Sequence, residues 1–132
     1  PATGTLPQEL VERAKKYFSY YHTYQFFTDE MADAYAVADI VISRGGFGTL
    51  TEIAALGKPA ILIPKSGHQE ENVMFLAKAG AVIMVDENYL AKIIRELIEK
   101  PNKQKKMGMT LGRMMPRASE EKILEVFDSI QL

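Results

Sequence analysis

Polar and glycine residues crowd into one stretch of this chain, Ser43-Arg44-Gly45-Gly46-Phe47-Gly48-Thr49-Leu50-Thr51-Glu52. An apolar run, Ile40-Val41-Ile42, precedes it. A helical pattern of Leu50, Ile53, Ala54 and Leu56 follows and ends at Gly57-Lys58-Pro59. A glycine turn between a strand and a helix presents backbone N–H groups to an anion. Glycine permits close approach, and the positive end of the helix dipole favours phosphate. The ligand this suggests is a nucleotide or a sugar nucleotide. Glu52 falls about a turn into the helix, where a carboxylate can accept hydrogen bonds from both hydroxyls of a ribose. Each feature also has a plainer reading: the turn as a tight strand-to-helix connection, Glu52 as a partner of the dipole or half of a capping box.

A second polar cluster comprises Lys65, Ser66, His68, Gln69, Glu71 and Asn72. Amide and imidazole groups both donate and accept, which suits sugar hydroxyls. Asn72 lies one helical turn after Gln69 and projects to the same side. The ordinary alternative for His68 and Gln69 is a surface helix cap. Other chemistries find little support. Gly45-Gly46-Phe47-Gly48 is not the dinucleotide fingerprint, and no Gly-Lys-Ser/Thr phosphate loop is present. The two histidines, His22 and His68, have no metal-ligand spacing, so no metal site is expected. A Gly-x-Ser-x-Gly nucleophile turn is missing. Asp29-Glu30 and Glu70-Glu71 read as charges at helix starts rather than as an acid–base pair.

The elements that must position these residues alternate. Helical spacing runs over Pro7–Ser19, with Leu10, Val11, Ala14, Tyr17 and Phe18 as its apolar positions. His22–Phe27 reads as a short aromatic strand. Asp29 can cap a helix through Val37 that buries Met31, Ala34, Tyr35 and Ala38. Strands are predicted at Asp39–Ser43, Pro59–Pro64 and Ala81–Val85, and helices at Glu70–Ala79 and Tyr89–Lys100. Two further helical stretches follow Pro101, broken at Pro116. The apolar residues of the strands are consecutive, as in a sheet covered on both faces. Such alternation gives an α/β fold with a parallel, doubly wound sheet. Its ligands bind at the carboxyl ends of the strands, so the loops after Phe27, Ser43 and Pro64 are the candidate sites.

Composition bounds the possibilities. The chain has 132 residues, 47% of them hydrophobic, enough for one buried core. A net charge of −1 argues against nucleic-acid binding, which needs a basic excess. There is no cysteine, so no disulfide framework, thiolate nucleophile or Cys-ligated zinc. The longest apolar runs are too short to span a bilayer, and no signal peptide is visible. Lys100, Lys103, Lys105 and Lys106, interleaved with Met107, Met109, Met114 and Met115, read as a solvated face over an apolar stripe, with a membrane-surface helix as the alternative. Pro1-Ala2-Thr3-Gly4 carries no methionine and reads as the end of a strand, so a fragment is expected.

The stretch from Phe27-Thr28-Asp29-Glu30-Met31 through Tyr35-Ala36-Val37-Ala38-Asp39-Ile40-Val41-Ile42-Ser43-Arg44-Gly45-Gly46 resembles the approach to the donor loop of the MurG family. The likeness continues through Gly48-Thr49-Leu50-Thr51-Glu52-Ile53-Ala54-Ala55-Leu56-Gly57-Lys58-Pro59 to Pro64, then to Asn72 and Lys78-Ala79-Gly80-Ala81. It implies the Rossmann-like C-terminal half of a GT-B glycosyltransferase. These enzymes transfer N-acetylglucosamine from UDP-N-acetylglucosamine to lipid I, giving lipid II of peptidoglycan. The resemblance implies a donor site of Phe27, Arg44, Gly45, Gly46, Phe47, Gly48, Thr49, Glu52, His68, Gln69 and Asn72. Within it, the Phe27 backbone would meet uracil, Gly46 to Thr49 the diphosphate, and Glu52 the ribose. Gln69 and His68 would face the sugar, and Asn72 would support their loop. The loop Lys65-Ser66-Gly67-His68-Gln69 looks shorter than the family's, and His68 replaces a family glutamine.

The same resemblance implies an inverting reaction without metal or other cofactor, and no catalytic residue in this chain. The base and the membrane-facing patch would lie in an N-terminal acceptor domain absent from residues 1–132, as would the family's Gly-Gly-Ser-Gln-Gly turn. The expected partners are thus a UDP-sugar, that acceptor domain or a partner subunit, and through it a lipid-linked acceptor, at the cytoplasmic face of the membrane. Two other readings stand beside this one: a small sugar-nucleotide-binding subunit of a two-chain membrane-associated transferase, and a relative of the UDP-N-acetylglucosamine 2-epimerases.

Overall fold

The structure is a computed structural model and describes residues 8–17, 21–22 and 31–115. The chain divides into two compact units, residues 1–34 and 35–132. In the first, α1 (Gln8–Tyr17) falls within the predicted span, and Gln8 Nε2 donates to Glu12 Oε1 one turn on at 3.3 Å. Helix α2 (Met31–Val37) runs into the second unit. There follow β1 (Val41–Ser43), α3 (Phe47–Leu56), β2 (Ala60–Leu62), α4 (His68–Lys78), β3 (Ile83–Met84), a 3₁₀ turn (Glu87–Tyr89), α5 (Leu90–Ile98) and α6 (Pro101–Met114).

The three strands are parallel and lie in the order β1-β2-β3, with Val41 opposite Ala60, Ile61 opposite Ile83 and Leu62 opposite Met84. The central strand, β2, is wholly buried because its side chains alternate between two helical layers. Ala60 and Leu62 pack with Leu50, Ile53 and Ala54 of α3 and with Val73 and Leu76 of α4. Ile61 packs on the other side with Leu97 of α5 and Met107 of α6. Each fully buried aliphatic side chain of this kind contributes about 1.5–3 kcal/mol. Helix α6 reaches both layers, giving Leu111 to the first and Met107 to the second. It lies so close to the end of α3 that a Cβ at Gly108 would collide with the Gly57 carbonyl.

Strand–helix alternation is therefore as predicted, with shorter strands. Pro59 and Pro64 cannot donate to a ladder. Ala81, expected in β3, instead gives its N–H to Leu76 O at 3.0 Å, closing the end of α4. The stop of α3 is the predicted one. Gly57 is left-handed (φ 65°) and donates to Ala54 O, while Lys58 N donates to Ile53 O, a Schellman closure. Helix α4 begins at His68, ahead of the predicted Glu70. Of the α2 residues expected to be buried, Tyr35 is, Ala34 is half-buried, and Met31 is 38% exposed. Around α6 the lysines are exposed; of the predicted stripe Met107 is buried and Met114 and Met115 are half-buried against the core, but Met109 is 55% exposed. The predicted strand His22–Phe27, the Asp29 cap and the stretch after Pro116 lie outside the described residues.

Candidate functional site

The carboxyl ends of the strands open onto the loop that starts α3. Ser43 ends β1, and its Oγ accepts a hydrogen bond from Gly45 N at 3.2 Å. Gly45 has φ 89°, and a Cβ there would lie 2.9 Å from Val73 Cγ2 of α4. The fold itself therefore demands glycine at this position. Gly46 then caps α3 with ordinary dihedrals (φ −60°, ψ 145°), and its carbonyl accepts from Leu50 N at 3.0 Å. No side chain caps the first turn, and no acidic residue occupies it. The N–H groups of Phe47, Gly48 and Thr49 precede the first intrahelical donor, Leu50, and so have no acceptor within the helix.

Gly46 and Gly48 contrast with Gly45. A Cβ at either would meet nothing within 4 Å, and neither has a positive φ. Packing and backbone strain do not call for glycine at these two positions, although glycine inside a helix costs roughly 0.5–1 kcal/mol against alanine. Their effect is to leave the backbone at the start of α3 bare. Beside it, Phe47 is 78% exposed.

Glu52 is exposed on the same helix, about 7.5 Å along the axis from Phe47. It is one turn from Gly48 and Thr49 and shares their face, and helical side chains lean toward the N-terminus. Its Oε2 accepts a hydrogen bond from the Tyr35 hydroxyl at 3.0 Å. Tyr35 is only 9% exposed. Burial, then the hydrogen bond to Glu52 and its negative charge, push the phenol up to about 12, so it is a neutral donor at physiological pH.

Arg44 points elsewhere. Its Nη2 lies 3.2 Å from Glu87 Oε1, just past β3, in a pair more than half exposed on both sides and worth at most about 1 kcal/mol. The two residues border a cavity of about 440 Å³ at the carboxyl edge of the sheet, also lined by Pro64, Glu70, Asp86 and Asn88. With Glu70, Asp86 and Glu87 against Arg44 alone, this hollow is poorly suited to a diphosphate. Carboxylates do accept hydrogen bonds from sugar hydroxyls.

In α4, His68 is the first residue and Gln69 and Asn72 are exposed one turn apart. Neither Gln69 nor Asn72 lines the cavity. The next residue, Val73, is the one that touches Gly45, so the contact places the first turns of α4 against the glycine turn. Phe27 lies outside the described residues. The structure thus joins Gly46, Phe47, Gly48, Thr49 and Glu52 on one helix start, while the Arg44 side chain pairs with Glu87 past β3. Sequence reasoning missed Tyr35 and Glu87 as partners. A phenol on the buried face of a short helix was the available signal for Tyr35, since a buried hydroxyl needs an acceptor. Among the described residues, no three His, Cys, Asp or Glu side chains gather to hold a metal ion.

Residues 3–129 match the family described as glycosyltransferase family 28 C-terminal domain. The chain belongs to this family. Similar proteins include one of Anaeromyxobacter sp. (strain K), 34% identical over 129 residues, covering 90% of this chain and 34% of that protein. A Thermodesulfovibrio yellowstonii protein is 34% identical over 137 residues, covering 97% and 37% respectively. A Halothermothrix orenii protein is 45% identical over 97 residues, covering 67% and 26%. All three are named UDP-N-acetylglucosamine--N-acetylmuramyl-(pentapeptide) pyrophosphoryl-undecaprenol N-acetylglucosamine transferase. The chain spans about a third of the length of such relatives. The crystal structure of Acinetobacter baumannii MurG superposes with a TM-score of 0.63 at 23% identity, covering 79% of this chain and 32% of that one. That likeness shows a shared fold for this family 28 domain.

Proposed function

We propose that this family 28 domain binds the UDP-N-acetylglucosamine donor of an inverting transferase that glycosylates lipid I to lipid II. The observation that carries the reading is the start of α3. It combines two glycines that packing does not require, a first turn without cap or acid, and Glu52 one turn on. The relatives' names supply the donor and acceptor chemistry, and they do not favour the epimerase reading.

In this account the N–H groups of Phe47, Gly48 and Thr49, with the Thr49 hydroxyl, hold the diphosphate at the bare helix start beside Gly46. Gly45 shapes the turn, and Glu52 accepts from the ribose hydroxyls. The Phe27 backbone meets uracil. His68, Gln69 and Asn72 serve the sugar, with Arg44 at the neighbouring edge. An acceptor hydroxyl attacks the anomeric carbon from the face opposite the diphosphate. The bond to the β-phosphate oxygen breaks, its electron pair stays on UDP, and a base outside this chain takes the hydroxyl proton. Fixed amide dipoles stabilise the charge growing on the departing diphosphate. Removing one such donor typically costs on the order of 10²–10³ in rate. The acceptor site, the base and the attachment to the cytoplasmic face of the membrane are assigned to an acceptor domain or partner subunit. No described helix is long and apolar enough to cross a membrane.

Isothermal titration of UDP-N-acetylglucosamine, UDP-glucose and UDP tests the reading. The expected result is binding of all three, with UDP weakened roughly ten-fold by Glu52→Ala, the loss of a charge-assisted hydrogen bond. Binding untouched by Glu52→Ala would remove the ribose assignment, and no binding of any UDP compound would remove the donor-site reading.

A further inference from the structure

Glu52 is exposed, and an exposed glutamate on a helix samples several rotamers. Here one carboxylate oxygen is held. The Tyr35 hydroxyl, on a side chain only 9% exposed, donates to Oε2 at 3.0 Å from a helix 17 positions back in the chain. The Tyr35 end of α2 is itself tied to the far end of α3, where Lys58 Nζ donates to Ala36 O at 3.3 Å. Among the described residues nothing donates to Glu52 Oε1. A carboxylate with one oxygen anchored from a buried side and the other free is a preorganised acceptor for a pair of neighbouring hydroxyls.

We propose that Tyr35 is a positioning residue for the nucleoside end of the ligand: its hydroxyl fixes the Glu52 carboxylate so that Oε1 receives a ribose diol. The inference rests on the donor-site reading above and extends it to a residue that touches no ligand. Anchoring spares the ligand the cost of ordering the glutamate when it binds. The raised phenol pKa keeps the donor protonated across any ordinary assay range.

The test compares UDP with 2′,3′-dideoxy-UDP, which keeps the base and both phosphates and lacks the diol. Tyr35→Phe is expected to weaken UDP roughly three- to ten-fold, as for the cost of ordering one side chain on binding, and to leave dideoxy-UDP unchanged. In a Glu52→Ala background the same substitution is expected to add nothing, which a general loosening of the fold would not produce. Equal weakening of both ligands, or a UDP affinity insensitive to Tyr35→Phe while Glu52→Ala lowers it, overturns the positioning role and leaves the donor site standing. A UDP affinity indifferent to Glu52→Ala removes the ribose assignment and the inference with it. Should Tyr35→Phe fail to fold, 3-fluorotyrosine in the parent chain replaces it. UDP should then shift the Tyr35 fluorine resonance and dideoxy-UDP should not, and identical shifts would overturn the proposal.

Discussion

Helices α3 and α4 both follow a strand of the same sheet, both start from a glycine, and neither has a side-chain cap. They differ in charge. Helix α4 brings Glu70 and Glu71 to its own positive end, whereas α3 has no acid in its first turn and carries Gly48 there instead. A carboxylate so placed is worth about 0.3–1 kcal/mol, so α3 forgoes a stabilisation that α4 takes. One helix start is neutralised from within, and the other, on the proposed function, is left for a charge from outside. The same contrast separates the glycines: Gly45 answers to the fold, whereas Gly46 and Gly48 are not required by packing and are assigned to the ligand only by the proposed function.

Four substitutions and a pH series press on that contrast. Gly48→Asp puts a carboxylate at the open helix start. UDP affinity should fall on the order of a hundred-fold through like-charge repulsion, while the thermal midpoint holds or rises. Unchanged titration heats would place the phosphates elsewhere. Gly45→Ala should cost about 1–3 kcal/mol in urea unfolding, because the residue is left-handed and its Cβ would press on Val73. A neutral result would erase the distinction between the glycines. Gly48→Ala, by contrast, should stabilise by roughly 0.5–1 kcal/mol and weaken UDP only a few-fold, read by the same two assays. Glu71→Gln should lower stability by about 0.3–1 kcal/mol and leave UDP affinity alone, and an affinity that fell with it would blur the two helix starts.

Tyr35 gives the pH dependence. Its pKa is raised from 10 to about 12 in the folded chain, so the unfolded state loses this proton first. Its contribution is complete below pH 10 and is lost as pH rises toward 12. Urea unfolding between pH 9 and pH 11.5 should show a steeper decline for the parent than for Tyr35→Phe. Parallel curves would mean that the phenol is neither buried nor tied to Glu52 as described.

Much of this was legible in the sequence because the signals were local. Consecutive apolar residues gave β2 as a strand covered on both faces. Gly57 stopped α3 as its position suggested, and the glycine turn lay at the start of a helix. Strand ends were overextended because an apolar residue such as Ala81 can be buried while its N–H serves a helix end. Pairings across the fold were invisible: Tyr35 with Glu52, and Arg44 with Glu87, meet only because β1 and its neighbours bring distant positions together. The three glycines of the turn read alike in sequence. Only the neighbours that a Cβ would meet tell Gly45 from Gly46 and Gly48.

The most direct test is a ¹H–¹⁵N titration of the chain with UDP, set against uridine, which lacks the phosphates. The account predicts that UDP moves the amide resonances of Phe47, Gly48 and Thr49 strongly and that uridine does not. Shifts concentrated at His68 to Glu71 instead, with the start of α3 silent, would contradict it.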